Sequence, residues 1–181
     1  MPARQEGSAE PLIAADLVLL LLQAETDAPA ARNEIHGITR LEKLLFLAEQ
    51  EEDISKEVED AFVFKPYDYG PYSKEIYEAV ELLEEADLLR EERVFEGRSL
   101  DEMEEAFATI SEPEGVERRF FLTDKGVAVA QLLAKEHPKV SSGLSAIKNR
   151  YAGMGLRSLI RYVYGRYPKF AEASKIRDEV L

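Results

Sequence analysis

The chain has 181 residues, 45% of them hydrophobic, enough to bury a core as one domain or as a domain with an extension. It contains no cysteine, which excludes disulfides, thiolate metal sites and cysteine nucleophiles and fits a cytoplasmic protein. The net charge of −13 is unevenly placed, with −19 over Met1–Glu136 and +6 over His137–Leu181. Either the acidic body attracts its own basic end, or that end offers a surface to an anionic partner.

Residues 1–9 read as a disordered tail. A first helix is predicted from near Glu10 to Gln23, apolar almost all round and therefore central. Its run Leu12–Leu22 is broken by Asp16 and falls short of the roughly 20 residues a membrane span needs. It also lacks the basic flank and cleavage site of a signal peptide, so it reads as a buried core helix. Ala24–Gly37 reads as a connector. Thr39-Arg-Leu-Glu42 has the form of a capping box. The helix it opens carries Leu41, Leu44, Leu45 and Ala48 on one stripe, with Arg40, Glu42, Lys43 and Glu49 largely off it. That helix fades into the charged run Glu49–Asp60.

The stretch Phe62-Val-Phe-Lys-Pro-Tyr-Asp-Tyr-Gly-Pro-Tyr-Ser73 holds five aromatics, two prolines and a glycine. Phe62 and Phe64 alternate as in a short strand, and Pro66 and Pro71 are expected to forbid helix and sheet continuation. Gly70 supplies backbone freedom, and the rings are expected to dock against neighbouring helices. Ser73 is placed to cap a third helix reaching Glu85. That helix turns Ile76, Tyr77, Val80 and Leu83 inward and Glu75, Glu78, Glu81 and Glu85 outward. Arg90–Phe95 and Arg118–Leu122 read as the strands of a hairpin. A helix inserted at about 99–115 is opened by a second capping box, Ser99-Leu-Asp-Glu102. Thr123 caps a fourth helix that His137-Pro138 stops after Glu136. Leu144, Ile147 and Tyr151 mark one further amphipathic segment; Leu156, Leu159, Ile160, Val163 and Tyr164 mark another, ended by Pro168. The expected architecture is mostly α (α+β). Three helices plus a two-stranded hairpin form a winged-helix-like core over 10–137, and a helical, basic C-terminal extension covers 138–181.

Lys43-Leu-Leu-Phe-Leu-Ala48, Phe62-Val-Phe, Tyr69-Gly-Pro-Tyr-Ser73 and Ile76-Tyr77 stand in an order that resembles the YwgA-like bacterial proteins. More distantly it is similar to the Panacea (SocA-like) antitoxin domains. The likeness covers about residues 38–90. Phe121-Leu-Thr-Asp-Lys-Gly126 resembles the strand-to-helix junction of winged-helix regulators. The resemblance implies a non-enzymatic, mostly helical, winged-helix-related domain; in the antitoxin branch such a domain binds and neutralises a toxin. The chain departs from the Panacea pattern in the aspartate and tyrosines before Gly70-Pro71 and in the acidic insertion of the hairpin.

Tyr67, Asp68, Tyr69, Tyr72 and Lys74 are the candidate contacts for a protein partner. Asp68 is expected to bond the turn amides, Tyr69 and Tyr72 to pack on the core, and Tyr67 either to pack or to anchor a partner. Lys148, Arg150, Arg157, Arg161, Arg166 and Lys169 are the candidates for an anionic partner, nucleic acid included. Groove reading by the third helix is disfavoured, because four glutamates would face the phosphates. His36 reads as a turn residue and His137 as a helix end, neither at metal-ligand spacing. No phosphate loop or nucleophile elbow is present, so no cofactor and no enzyme are expected, with an unrecognised hydrolase as the last alternative. The expected function is a regulatory or antitoxin-like adaptor working through a protein partner, the partner being a toxin in the antitoxin case. A DNA-binding transcriptional regulator is the alternative, no membrane is involved, and a homo-oligomer is compatible with either.

Overall fold

The computed structural model describes residues 11–27, 33–52, 54, 58, 61–95 and 116–181. In chain order they form α1 (Ala14–Gln23), β1 (Glu34–His36), α2 (Ile38–Glu51), β2 (Lys65–Tyr67), β3 (Gly70–Tyr72) and α3 (Lys74–Glu85). Then come β4 (Leu89–Phe95), β5 (Val116–Leu122), α4 (Asp124–Glu136), α5 (Pro138–Tyr151) and α6 (Leu156–Arg166). A 3-10 turn (Pro168–Ala171) and a short helix α7 (Arg177–Val180) finish the chain. The protein is mostly helical, with small antiparallel sheets. The tail 1–9, the inserted helix at about 99–115 and its capping box lie outside the described residues.

α1 is the hub. Leu17 to Leu22 are all buried, and the helix packs against α3, α4 and α5 as well as β1 and β5. Asp16 in its first turn accepts from the Ile13 amide at 3.0 Å, where a carboxylate also suits the positive end of the helix dipole. The all-round apolar surface thus has the central position that its sequence requires.

The connector after α1 hides a strand. Glu34–His36 pairs with β5 in the register Ile35 to Phe120, so the sheet has three strands in the order β1-β5-β4 rather than the two expected. His36 therefore lies in this strand, its Nε2 3.1 Å from Glu34 Oε1, and not in a turn. Gly37, at φ +88°, turns the chain from β1 into α2.

α2 starts at Ile38, which puts Thr39 inside its first turn, and the expected capping box is not made. Glu42 sits instead against Lys43, Oε2 to Nζ 3.6 Å. Both are buried, along with every other residue from Leu41 to Ala48. A single apolar stripe had left these two charges facing solvent. They are covered because α5, α6, β1 and β3 all pack on α2.

The aromatic stretch forms a hairpin of its own. β2 and β3 pair as Lys65 to Tyr72, Pro66 to Pro71 and Tyr67 to Gly70, so the prolines stand inside a ladder they were expected to forbid. They are tolerated because the middle pair of this register is the one that exchanges no hydrogen bonds, and neither residue needs an N–H there. Phe62 and Phe64 alternate in burial with the exposed Val63 and Lys65, as expected, although no strand forms over 62–64; both rings pack against the core, Phe64 edge-on to Phe46 at 5.2 Å. Gly70 takes φ +94°, and a Cβ there would lie 2.6 Å from the Tyr164 ring. Ser73 occupies the residue before α3, but its hydroxyl donates to Glu75 Oε2 (2.5 Å) instead of capping the helix. α3 buries Ile76, Ala79, Val80 and Leu83, as its periodicity requires.

Thr123 does cap α4, its Oγ1 accepting from the Gly126 amide at 3.0 Å. α5 follows with Pro138 as its first residue. Val140, Leu144, Ile147, Leu159, Ile160 and Val163 belong to the same buried cluster as α1, α2 and α3. The helices beyond His137 are thus built into the core rather than attached to it.

Candidate functional site

The β2-β3 hairpin presents its tip to solvent and fixes everything behind it. Tyr67 and Tyr69 are 53% and 51% exposed, among the most exposed large apolar side chains described. Behind them Tyr67, Tyr72 and Tyr77 stack in series, with ring centroids 4.9 and 5.4 Å apart. Asp68 holds the turn from outside: its carboxylate accepts from Lys175 Nζ at 2.5 Å, and its carbonyl accepts from the Lys175 amide at 2.9 Å. That partner replaces the turn amides expected for Asp68. Tyr69, expected to pack on the core, points half its surface outward, while Tyr72 is partly covered as anticipated. Lys74 is exposed and pairs with Glu78 one turn on, at 2.5 Å.

Underneath lies a pocket of about 160 Å³, lined by Tyr67, Tyr69, Tyr72 and Tyr77 together with Glu42 and Lys43 from α2. Lys43 Nζ donates to the Pro71 carbonyl at 2.9 Å, tying the hairpin to α2. Burial lowers the Lys43 ammonium to about 8, although Glu42 beside it pulls the other way. The Tyr72 hydroxyl is pushed up by burial and then by Glu42; Tyr67 and Glu75 add to this, against a smaller opposing effect of Lys74. Burial raises Glu75, but hydrogen bonds from Ser73 and the Val63 amide outweigh it and hold the carboxyl below its usual range. The sequence motif located the tyrosines; nothing in it marked Glu42 and Lys43 as the inner wall, because both lie off the apolar stripe.

The basic candidates are placed very differently from one another. Lys148 is fully buried and donates to the carbonyls of Leu22 and Ala24 at 2.6 and 3.2 Å, so it is not available to an anionic partner. Its long stem crosses the core to reach the end of α1, which a helical wheel could not disclose. Arg150 pairs with Glu51 at 3.2 Å. Arg157 donates to the Glu179 carbonyl, and Arg161 to the Val180 carbonyl at 2.6 Å. Arg166 and Lys169 are exposed, the former 5.9 Å from the Tyr167 ring centre.

A second cluster was missed altogether. Glu51 Oε2 accepts from Tyr151 (2.6 Å) and Arg150, and Oε1 accepts from Tyr162 (2.8 Å) and Tyr167 (3.3 Å). Burial raises this carboxyl, but the four donors outweigh it and hold it below the usual range. Glu51 stood at the edge of a charged run, and its partners lie about a hundred residues away, so no local signal could have found it. The cluster clamps α2 to α5 and α6 and leaves no free acid or base.

Among the described residues no helix is long and apolar enough to cross a membrane, and no group of three or more His, Cys, Asp or Glu could hold a metal ion. Compared with protein-family models and with curated proteins, the chain matches none.

Proposed function

We propose that this chain is a non-enzymatic adaptor or regulator that works by docking a protein partner on the β2-β3 hairpin. One observation carries the reading: two half-exposed tyrosines stand at the tip of a hairpin whose other parts are immobilised by Lys43, Lys175 and the ring stack. Rigid aromatic anchors lose little entropy on binding, and tyrosine is enriched among the residues that dominate interface energies.

The element order α1-β1-α2-α3-β4-β5, with sheet order β1-β5-β4, supports a winged-helix-type plan carrying the β2-β3 hairpin as an insertion. An antitoxin-like role, in which the docked protein is a toxin, follows from the YwgA-like and Panacea-like resemblance on that plan. Nucleic acid is the weaker partner on charge. Glu78, Glu81 and Glu85 are exposed along α3, and four of the candidate cations are engaged within the fold by carbonyls or by Glu51.

The test is affinity capture from the native host with the wild-type chain and a Tyr67→Ala/Tyr69→Ala variant. Both side chains are half exposed and Tyr67 gives up its ring contact with Tyr72, so the variant should stay folded and lose about 1–2 kcal/mol. It should lose one specific captured protein. Retention of every captured protein by a folded variant would remove the hairpin from the interface.

A further inference from the structure

α4 has a side that the fold leaves open. Only Gly126 and Ala130 of this helix are fully buried. On the opposite side Ala128 and Leu132 stand one turn apart in solvent, Leu132 at 61% exposure. At about 100° per residue these two form the centre line of the outer face. Asp124 and Lys135 lie along one margin of that line, and Lys125 and Glu136 along the other, all four exposed. We propose that this face pairs with itself, α4 of a second copy lying antiparallel across it about a two-fold axis at the level of Ala130. The pairing uses none of the hairpin residues and stands apart from the docking role proposed above.

Shape, charge and dipole each select a second copy in this orientation. The antiparallel register sets Leu132 of one helix over Ala128 of the other, and the two-fold repeats that large-on-small contact on the far side of the axis. The same operation brings like margins together, so Asp124 at the start of one helix faces Lys135 near the end of the other, twice. The two residues are out of level by one position, about 1.5 Å, well within the reach of a lysine. Within one chain neither Asp124 nor Lys135 has an ion-pair partner among the described residues. Lys125 is held by the Ala86 carbonyl at 2.7 Å, so the other margin contributes no pair. Antiparallel helices also set the positive end of one dipole beside the negative end of the other. A parallel pairing would put Leu132 against Leu132 and Ala128 against Ala128, crowding one level and leaving a gap at the next. The net charge of −13 on each copy opposes association at long range, and salt screens that repulsion.

The test is sedimentation velocity on the full chain over a range of concentrations, at about 0.15 M salt. One helix-on-helix contact is a small interface, so wild type should move from monomer to dimer with a Kd of about 10–100 µM. Leu132→Gln changes an exposed side chain, should melt as wild type does, and should weaken the dimer by about tenfold or more. Asp124→Lys and Lys135→Asp each set like charges together at both ends of the pair, and each alone should weaken it by about tenfold. Mixed in equal amounts, the two variants should recover the wild-type affinity. In the mixed dimer the introduced lysine of one chain meets the introduced aspartate of the other, and a native pair closes the opposite end. Any cost of either swap to helix stability is the same before and after mixing, so the recovery reads the pairing alone. A wild type that stays monomeric throughout, a dimer indifferent to Leu132→Gln, or folded charge variants that gain nothing on mixing would overturn the assignment.

Discussion

Lys148 lies in the last turn of α5, yet its ammonium closes the C-terminal end of a different helix, α1, through the carbonyls of Leu22 and Ala24. The same device recurs. Lys125 donates to Ala86 at the end of α3, Arg40 to Ala152 and Met154 after α5, and Arg157 and Arg161 to Glu179 and Val180 in the last helix. The final carbonyls of a helix have no partner within it, and a cation also suits the negative end of its dipole. Lys148→Met keeps the stem but leaves two buried carbonyls unserved, and should cost about 1–3 kcal/mol in urea unfolding. The sign of the pH dependence follows from burial, which holds Lys43 and Lys148 to about 8 against the ordinary 10.5. Between those values the unfolded chain binds more protons than the folded one, so stability rises with pH through that window. Tyr151, pushed up by burial and by Glu51, acts oppositely above its ordinary value of 10.0 and ends the climb. The urea midpoint of wild type should therefore increase from about pH 8 toward pH 10, and Lys148→Met should flatten that increase. A level wild-type profile would contradict two lysines buried with their protons.

At the scale of elements, the tightest junction is where α3 gives way to β4 and β5 to α4. Thr123 Oγ1 donates to the Asp87 carbonyl at 2.7 Å while accepting from the Gly126 amide, and the Thr123 amide donates to the Leu88 carbonyl. Gly126 is pressed so close that a Cβ would stand 1.9 Å from the Leu88 oxygen, which backbone must move to relieve. Gly126→Ala should lower stability by about 1–3 kcal/mol or more despite the better helix propensity of alanine, as read from thermal melts. The threonine was legible beforehand because an N-cap is a local device. The capping box at Thr39 was not realised, because Gly37 begins the turn earlier and Glu42 is drawn to Lys43. β1 escaped notice for a different reason: it is three residues long, and its whole justification is a partner more than eighty residues later. The hairpin prolines were misread because their effect depends on register, which no single strand reveals.

For the whole molecule, periodicity supplied the helices and the tyrosine-rich motif supplied the place to look for a site. What covers what had to come from the structure. An apolar stripe reports one buried face, whereas α2 is enclosed by elements from both ends of the chain. The uneven charge was readable too, and part of its meaning is now visible: Arg150 meets Glu51, and Lys175 meets Asp68. Half exposure of Tyr67 and Tyr69 was not readable, since an aromatic cluster argues equally for packing and for contact. Because α5 and α6 contribute to the common core, a chain ending at Glu136 should fail to show a cooperative thermal transition by circular dichroism. A sharp melt of that fragment would restore the picture of a separable extension.

The pairing of Pro66 with Pro71 has a further effect on how copies of this protein meet. In that ribbon the middle residues are the ones whose amides would face outward, and a proline has no amide hydrogen to offer. Each flank therefore lacks the donor with which another strand would begin a ladder, and the outward carbonyl of Pro71 on β3 is already taken by Lys43. The molecule thus holds two aromatic rings in water on a two-stranded ribbon whose edges are poor templates for fibre growth.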